Sequence, residues 1–234
     1  MSIAFVAGAT GYTGRAVVHA LAQAGVETYA HVRPDSKRLS EWSEQFTQWG
    51  AQIDTTPWDQ EVMTKRLSEL NPNAVFGCLG TTKKRIAQDA AQGETSSYQI
   101  VDYGMTVMLH QAAQSCSSQP RFVYVSSAGA KPGSEGSYLG ARWAVEQVLI
   151  QSELPYTIGR PCFITGPGRD EDRPGERIGA KVSDAILSAL AGLGAKNLQQ
   201  RYRSTTNTVL GAALARLAFD SSAARQIIES EGLR

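Results

Sequence analysis

Three glycines near the start of the chain have the spacing of a phosphate-binding turn. Gly8, Gly11 and Gly14 follow a short apolar segment and lead into apolar residues at helical spacing. In such a strand–turn–helix the first glycine permits a tight turn, the second lets the backbone approach a pyrophosphate, and the third lets the helix pack on the strand. The helix N-terminus adds N–H groups and a partial positive charge. The residues predicted to form this dinucleotide site are Gly8, Thr10, Gly11, Tyr12, Thr13 and Gly14.

The residues after this turn favour a dinucleotide over a nucleoside triphosphate. A P-loop ends in Lys followed by Ser or Thr, whereas Gly14 is followed by Arg15 and Ala16. A turn that needs glycine only for its shape is the remaining alternative. The strand before the motif and the helix after it favour the dinucleotide interpretation.

The end of the second predicted strand carries a basic residue where the choice between NAD and NADP is made. An acidic residue there would hold the ribose 2′-hydroxyl of NAD, whereas Arg accommodates the 2′-phosphate of NADP. The chain has Arg33 at this place, followed by Lys37 and Arg38, and Arg15 begins the first helix. Because a forked guanidinium suits phosphate, we expect NADP(H) to be preferred, held by Arg15 and Arg33. NAD(H) and a merely solvated basic turn stay as alternatives.

Composition places the chain among globular proteins and excludes several classes of function. Its 234 residues are 42% hydrophobic and 19% charged, with a net charge of +1, so it lacks the basic character of a dedicated nucleic-acid binder. No apolar run reaches the length of a membrane span. Cys78, Cys116 and Cys162 are isolated, which predicts reduced thiols and a cytoplasmic protein. The three histidines are scattered without metal-ligand spacing, so no metal site is expected.

Short apolar segments alternate with helical patterns over the first 160 residues. This alternation predicts a Rossmann-type α/β fold, a doubly wound parallel sheet with helices on both faces. The predicted strands are Ile3–Ala7, Glu27–Arg33, Ala51–Asp54, Ala74–Cys78, Arg121–Ser126 and Tyr156–Arg160. The predicted helices are Arg15–Ala24, Ser36–Trp49, Asp59–Leu70, Ser97–Ser115 and Ser137–Gln151.

The regular alternation stops after Arg160. A Gly- and Pro-rich stretch over Gly166–Arg177 predicts a loop, and later segments predict the helices Ile178–Leu193, Asn207–Phe219 and Ser222–Glu229 and a strand over Arg201–Thr205. We expect one domain over residues 1–234, with a small C-terminal cap contributed by roughly residues 161–205. Such a cap would cover the carboxyl ends of the strands, where ligands bind in open α/β sheets.

Several short motifs in the expected order resemble the short-chain dehydrogenase/reductase superfamily, in its atypical branch. The TGxxG pattern is Thr10–Gly14. The chain also looks like the Tat-interactive-protein-like oxidoreductases, and that match includes Gly77–Thr82, Ser126-Ser127 and Asp172–Glu176. The resemblance implies a Rossmann fold that binds NADP(H). It also implies that Leu79 and Gly80 pass close to the dinucleotide, and that the backbone of Pro161, Cys162 and Phe163 meets the nicotinamide carboxamide.

The resemblance also implies a catalytic set. A Tyr acts as general acid and base once a nearby cation stabilises its phenolate, and a Ser hydrogen-bonds the substrate oxygen. By order and spacing these roles fall to Tyr138 and to Ser127, which alternation along the strand separates from Ser126. The Lys of the family is replaced by Arg142, which keeps a charge one helical turn away but makes a proton relay implausible. The family's helix Asn is not evident, and Asp102 is near its place.

Two further residues, Asp54 and Pro161, each allow two interpretations that the sequence does not separate. Asp54, at the end of the third predicted strand, either accepts a hydrogen bond from the adenine amino group or is a solvated acid. Pro161 either meets the nicotinamide or simply ends a strand. The basic run Lys83-Lys84-Arg85 is expected to be a solvated loop.

Three functions compete at this point. The first is an NADPH-dependent oxidoreductase acting on a small carbonyl or alcohol. The second is a non-catalytic NADP(H)-sensing regulator that binds another protein, a reading that Arg142 encourages. The third is a nucleotide-sugar epimerase or dehydratase, disfavoured because the cap is short. The expected partner is a small-molecule substrate, with a homodimer or a protein partner as further alternatives and no nucleic acid or membrane.

Overall fold

The structure, a computed structural model, describes residues 2–133, 136–166 and 204–234. Its strands are β1 (Ile3–Ala7), β2 (Glu27–His31), β3 (Gln52–Asp54), β4 (Ala74–Gly77), β5 (Arg121–Val125), β6 (Tyr156–Arg160), β7 (Ile164–Thr165), β8 (Thr205–Thr206) and β9 (Gln226–Glu229). Its α-helices are α1 (Tyr12–Gln23), α2 (Leu39–Gln48), α3 (Gln60–Leu70), α4 (Lys83–Ala91), α5 (Met105–Gln114), α6 (Tyr138–Gln151) and α7 (Asn207–Phe219). A π-helical turn, Tyr98–Gly104, precedes α5.

The main sheet has the order β3-β2-β1-β4-β5-β6-β9, and every neighbouring pair is parallel. After β3 the chain crosses to the other side of β1 and continues outward from β4. This reversal makes β1 and β4 neighbours and opens a crevice beyond their carboxyl ends, the place where such sheets bind ligands. The predicted Rossmann-type doubly wound fold is therefore confirmed.

Apolar side chains cover both faces of the sheet. On one face the strands pack against α1, α2 and α7, and on the other they pack against α3, α5 and α6. Helices α1 and α7 approach closely because residue 211 is Gly, where a Cβ would lie 2.6 Å from the backbone of Ala16. The helix that follows the glycine turn is thereby held against the sheet and against α7.

The predicted segments of the first 160 residues form, with small shifts at their ends. The second strand ends at His31 instead of Arg33, so Arg33 lies in the loop beyond it. The fourth predicted helix divides into the π-helical turn and α5. A π-helical turn inside a helical segment often marks a functional site.

Two predictions were wrong. The helix expected over Ser222–Glu229 is instead a short 3-10 turn followed by strand β9, which pairs with β6. Ile227 and Ile228 pack against opposite faces of the sheet, which is the alternation of a strand. The basic run Lys83-Lys84-Arg85 opens helix α4 instead of lying in a loop; the Thr82 hydroxyl caps this helix by accepting from the Arg85 amide.

Most of the predicted cap, including the helix over Ile178–Leu193 and the motif Asp172–Glu176, lies outside the described residues. Of the strand expected over Arg201–Thr205, the described part pairs through β8 with β7. None of the described helices is both long and apolar enough to cross a bilayer.

Candidate functional site

A cleft of about 840 Å³ opens beyond the carboxyl ends of β1, β4, β5 and β6. Its walls come from the glycine turn, from the loops after β4, β5 and β6, and from the start of α6. The predicted site residues that line it are Gly11, Tyr12, Thr13, Leu79, Gly80, Ser127, Tyr138, Arg142, Pro161, Cys162 and Phe163. The fold therefore brings the predicted dinucleotide turn and the predicted catalytic residues into one cavity.

The glycine turn has the geometry that its spacing predicts. Gly8 has φ +75°, and a Cβ there would lie 2.5 Å from the Cys78 carbonyl oxygen. A Cβ at Gly14 would collide with the Gly8 carbonyl oxygen. Gly11 is the N-cap of α1 and provides no side-chain cap, so amides of the first turn face the cleft for a ligand to cap.

Arg142 is a mostly buried residue of the cleft wall, in an ion pair with an acid from the π-helical turn. Its Nη2 is 2.9 Å from Oδ1 of Asp102, and only 8% and 0% of the two side chains are exposed. Its Nη1 donates to the Val125 carbonyl at 2.7 Å and to the Tyr124 hydroxyl at 3.3 Å. The other Asp102 oxygen accepts from the Thr81 amide at 2.9 Å. The pair therefore joins α6, the end of β5 and the loop after β4.

The ion pair also fixes the shape of the loop after β4. A Cβ at Gly80 would collide with Nη2 of Arg142 and lie 3.3 Å from Oδ1 of Asp102. Glycine is therefore required where this loop crosses the guanidinium. Burial raises the pKa of Asp102 by more than Arg142 and the Thr81 amide lower it. The Asp102 carboxyl group has therefore lost its contact with water, and Arg142 and the Thr81 amide compensate for only part of that loss.

Tyr138, the first residue of α6, stands between an aromatic ring and a cation. The Arg142 guanidinium carbon is 5.2 Å from the centre of the Tyr138 ring, and the Tyr98 ring meets it edge-on at 5.5 Å. A guanidinium at this distance from a ring is attracted to the ring's quadrupole. Arg142 thus contacts Tyr138 through its face, while its hydrogen-bonding groups are directed to Asp102 and the end of β5.

The two serines after β5 differ as strand alternation predicts. Both border the cleft, but Ser126 is buried and its hydroxyl donates to Glu146 at 2.5 Å, whereas Ser127 is half-buried. Glu146 is fully buried and also accepts from Arg160, with Nε–Oε1 2.9 Å and Nη2–Oε2 2.5 Å. Arg160 reaches Glu229 on β9 at 3.1 Å as well. This network fixes the ends of β5, β6 and β9 beneath the cleft floor.

The segment after β6 lies at the cleft edge in an extended path. The Ala128 amide donates to the Pro161 carbonyl at 2.9 Å, and the Phe163 carbonyl accepts from Thr205 at 3.0 Å. The Cys162 amide donates to Ser230 at 3.4 Å, and burial raises the pKa of the Cys162 thiol. Burial also raises the pKa of Cys78 to about 12. Both thiols stay protonated near neutral pH, which makes them poor nucleophiles.

Two basic residues near the expected 2′-phosphate site, Arg15 and Arg38, contact Trp42 on α2. The guanidinium carbons of Arg15 and Arg38 are 5.3 and 4.4 Å from the centre of the Trp42 ring. Arg38 also binds Glu41 through two contacts of 2.8 and 2.5 Å. Arg33 is half exposed and lies 3.7 Å from Asp35. Arg15 belongs to α1, whose first residues border the cleft, and none of the three arginines is among the described residues that line it.

Asp54 is buried in contacts of its own. It accepts from Arg66 at 2.6 Å and from the Thr56 amide at 3.0 Å. Burial pushes its pKa upward, but the hydrogen bonds from Thr56 and Arg66 outweigh burial and leave the pKa below its usual value. The carboxylate is therefore strongly engaged at the end of β3. Its contact with adenine stays a prediction.

A family model for NAD(P)H-binding proteins matches residues 8–191, which is most of the chain and includes the glycine turn and the predicted catalytic residues. The chain belongs to the NAD(P)H-binding family. Among solved structures, a short-chain dehydrogenase/reductase from Serratia marcescens superposes with a TM-score of 0.64 at 14% identity, with 98% of each chain covered, which shows the shared fold. The family model confirms the predicted NAD(P)H-binding family, and the superposition shows that the chain shares the fold of a short-chain dehydrogenase/reductase.

Curated relatives of this NAD(P)H-binding protein come from organelles. It is 30% identical over 150 residues to "Protein FMP52, mitochondrial" of Saccharomyces cerevisiae, covering 64% of this chain and 57% of that one. It is 29% identical over 235 residues to "Protein TIC 62, chloroplastic" of Arabidopsis thaliana, covering 88% of this chain and 35% of that one. The chain thus spans little more than half, and about a third, of these two relatives. The cytoplasmic location stays a prediction.

The residues present fit a dinucleotide. The Gly8–Gly14 turn presents backbone with no side chain at the point of closest approach, and the cleft runs from that turn to Tyr138. Within residues 2–133, 136–166 and 204–234, no three His, Cys, Asp or Glu side chains gather as a metal site requires. The NAD(P)H-binding protein can therefore hold the pyrophosphate at α1 and the nicotinamide near Tyr138, with Leu79 and Gly80 between them.

Sequence reasoning missed several residues of this site. Asp102 was noted only as near the place of an absent Asn, although it is the ion-pair partner of Arg142. Thr81 and Tyr98 contact Asp102 and Tyr138 through separate elements. The signal that points to Asp102 is its place in an otherwise apolar helical segment, because a buried acid requires a cation.

Proposed function

We propose that the chain is an NADP(H)-dependent oxidoreductase that interconverts a small carbonyl compound and its alcohol. The observation that carries this proposal is the single cleft shared by the glycine turn, Ser127 and Tyr138. A general acid must lie within reach of the atom it protonates. A phenol and a hydroxyl beside a nicotinamide site are the groups that carbonyl reduction needs.

Each residue has a distinct task in this reaction. A bound nicotinamide supplies or accepts the hydride. In the reducing direction the carbonyl carbon gains that hydride and the oxygen gains a proton from Tyr138, so an alcohol forms and the phenolate recovers a proton from solvent. Ser127 donates a hydrogen bond to the same oxygen. Arg142 holds the Tyr138 ring by its face and passes no proton, because a guanidinium does not deprotonate in proteins.

Preference for NADP(H) over NAD(H) is part of the proposal. Arg15 and Arg38 both contact Trp42, and Arg33 lies in the loop that follows β2. Arg33 is 3.7 Å from Asp35, and Arg38 is paired with Glu41. A 2′-phosphate has several guanidinium groups available there.

A non-catalytic NADP(H)-sensing regulator is the second candidate. The observation that favours it is the bonding of Arg142, whose guanidinium is paired with Asp102 and donates to the Val125 carbonyl. In this reading the cleft would bind a dinucleotide, and Tyr138 would have no proton to transfer. The two candidates differ in turnover and share cofactor binding.

The test is NADPH oxidation by wild type, Tyr138→Phe and Tyr98→Phe with a panel of small aldehydes and ketones. Loss of the Tyr138 hydroxyl is expected to lower kcat by about 10²–10⁴-fold with little change in NADPH affinity. Tyr98→Phe removes a hydroxyl from the same cleft and is expected to have a much smaller effect. Undiminished activity in Tyr138→Phe would refute the mechanism. Tight NADPH binding with no oxidation on any carbonyl would favour the regulator.

A further inference from the structure

A second pocket, of about 560 Å³, adjoins the cleft at Tyr138. The two cavities share Lys83, Tyr98 and Tyr138, and the second is closed by Lys131 and the start of α6. Residues of the glycine turn are not part of the lining that the structure describes for it. This second pocket is therefore positioned to hold the part of a substrate that extends away from the cofactor.

The charged residues among the described lining of the two cavities are all cations. Lys83 and Lys131 line the second pocket, and Lys84 joins Lys83 in the cleft. No Asp or Glu is among the described lining residues of either cavity. Helices α4 and α6 both begin here, and neither has an acid in its first turn. The positive ends of two helix dipoles therefore add to the lysine charges.

These lysines differ from the other basic residues nearby in having no ion-pair partner within residues 2–133, 136–166 and 204–234. Arg85, the next residue of α4, is 3.8 Å from Asp89 and lines neither cavity. Arg142 lines the cleft but is neutralised by Asp102. The uncompensated charge of the site is thus concentrated at Lys83, Lys84 and Lys131.

The cofactor does not account for this charge. Its pyrophosphate belongs at the N-terminus of α1, and a 2′-phosphate belongs with the arginines around Trp42. The second pocket lies past Tyr138 from both places, since its described lining includes Tyr138 but neither the glycine turn nor Leu79. An anion there has to come from the substrate.

We infer that the substrate is a carbonyl compound or alcohol carrying an anionic group, a carboxylate or a phosphate, which Lys83 and Lys131 hold in the second pocket. The inference rests on the proposed oxidoreductase function. The reacting carbon then lies at Tyr138, between the nicotinamide and the anion. The rings of Tyr98 and Tyr138, 5.5 Å apart between their centres, form a wall suited to a flat apolar body between the two ends.

The first experiment compares 4-carboxybenzaldehyde with methyl 4-formylbenzoate as substrates of the full chain with NADPH. The two differ in one negative charge. Ion pairs at exposed lysines are individually weak, so we expect kcat/KM to favour the acid by roughly tenfold, mainly through KM. Since exposed charges are screened by salt, the preference should shrink as ionic strength rises.

Variants assign the preference to the pocket. In Lys83→Gln/Lys131→Gln the acid-to-ester ratio of kcat/KM is expected to fall to about one. Arg85→Gln removes a neighbouring charge from the same helix outside both cavities, and the ratio should stay at the wild-type value. An ester used as well as the acid, or a ratio that the double variant leaves unchanged, overturns the inference.

A binding measurement separates this inference from the proposed reaction. Calorimetry on the NADP⁺ complex compares 4-(hydroxymethyl)benzoate with its methyl ester, so no turnover is needed. Tighter binding of the acid that disappears in Lys83→Gln/Lys131→Gln supports the anion pocket even where neither aldehyde is reduced, in which case the oxidoreductase proposal alone fails. Equal binding of acid and ester overturns the anion pocket even where both aldehydes are reduced.

Discussion

The glycine end of the cleft, formed by Gly8, Gly11 and Gly14, differs in construction from the tyrosine end, formed by Asp102, Tyr138 and Arg142. The glycine end is one continuous turn that offers backbone amides and no side-chain cap. The tyrosine end joins three separate elements through a buried ion pair. At the glycine end the absence of side chains leaves room for a ligand. At the tyrosine end the buried pair of Arg142 and Asp102 packs against the Tyr138 ring.

The two ends should therefore fail in different ways when they are changed. Removing one partner of a buried ion pair leaves the other charge without compensation and destabilises the fold. Adding a side chain to a glycine that already has an ordinary backbone conformation fills the ligand's place and leaves the fold alone. The first kind of variant should lose stability, and the second should lose only binding.

The largest expected effect is at the tyrosine end. Asp102→Asn should lower the free energy of unfolding by about 3–5 kcal/mol, because it leaves the Arg142 guanidinium buried without its carboxylate. Denaturant unfolding checks this value. The control is Glu69→Gln, which breaks the exposed Lys65–Glu69 pair of 3.9 Å and should cost less than about 1 kcal/mol. Similar losses in the two variants would contradict the contrast between the ends.

Replacing Arg142 with lysine tests whether the stability of the tyrosine end depends on the guanidinium itself or only on its charge. The family pattern predicts that Arg142→Lys is tolerated, but the fork of Arg142 reaches Asp102, the Val125 carbonyl and the Tyr124 hydroxyl at once. A lysine has a single nitrogen and no planar fork. Arg142→Lys is therefore expected to be less stable than wild type, and its loss should shrink when it is combined with Asp102→Asn, since the two residues act as a pair.

Gly11→Val tests the glycine end. Gly11 has φ −72° and ψ 163°, which any residue adopts, and its Cβ would lie 3.1 Å from the Gly8 carbonyl oxygen. The backbone angles allow the substitution, and a shift of a few tenths of an ångström at the Gly8 carbonyl relieves the tight contact, so the fold should survive. The side chain would, however, block the pyrophosphate. Loss of two charge-assisted contacts predicts roughly hundredfold weaker NADPH binding. Fluorescence titration of NADPH and the melting temperature of the ligand-free protein are the two readouts. A destabilised variant, or one that keeps its affinity, would break the comparison.

The smallest expected effect concerns the choice of cofactor. Arg33 is half exposed and lies only 3.7 Å from one acid, whereas Arg38 is held by two close contacts to Glu41. Arg33→Gln should reduce the preference for NADPH over NADH by about tenfold, and the charge-matched Arg38→Gln should reduce it less. Titration of both cofactors against both variants decides this. An equal preference in wild type would contradict NADP(H) selectivity.

The glycine end could be predicted from the sequence more fully than the tyrosine end. The glycine turn is local, so its spacing is sufficient to predict both its shape and its neighbours in the strand and helix. Helix α4 was missed because it has only nine residues and begins with three consecutive basic ones, and because its apolar positions are Ile86 and three alanines, none of them buried. Strand β9 has four residues, too few to separate the alternation of a strand from the spacing of a helix.

The tyrosine end was predicted in part for a physical reason. Tyr138 and Arg142 are one helical turn apart, so sequence places them together. Asp102 reaches Arg142 only because the π-helical turn packs beside α6, which is a property of the folded chain. Burial of the pair therefore depends on the tertiary structure. The folded chain thus gives Arg142 an acidic partner that its place in the sequence does not reveal, and its catalytic role stays a prediction.

The contact between Gly80 and Arg142 has an evolutionary consequence. Any side chain at 80 would collide with the guanidinium, and the guanidinium needs the acid at 102. A relative that carries arginine at the position of 142 is therefore constrained to glycine and an acid at the other two positions. A relative with lysine there is released from both constraints. These three positions should covary as a set across the family, although they lie on different elements of the fold.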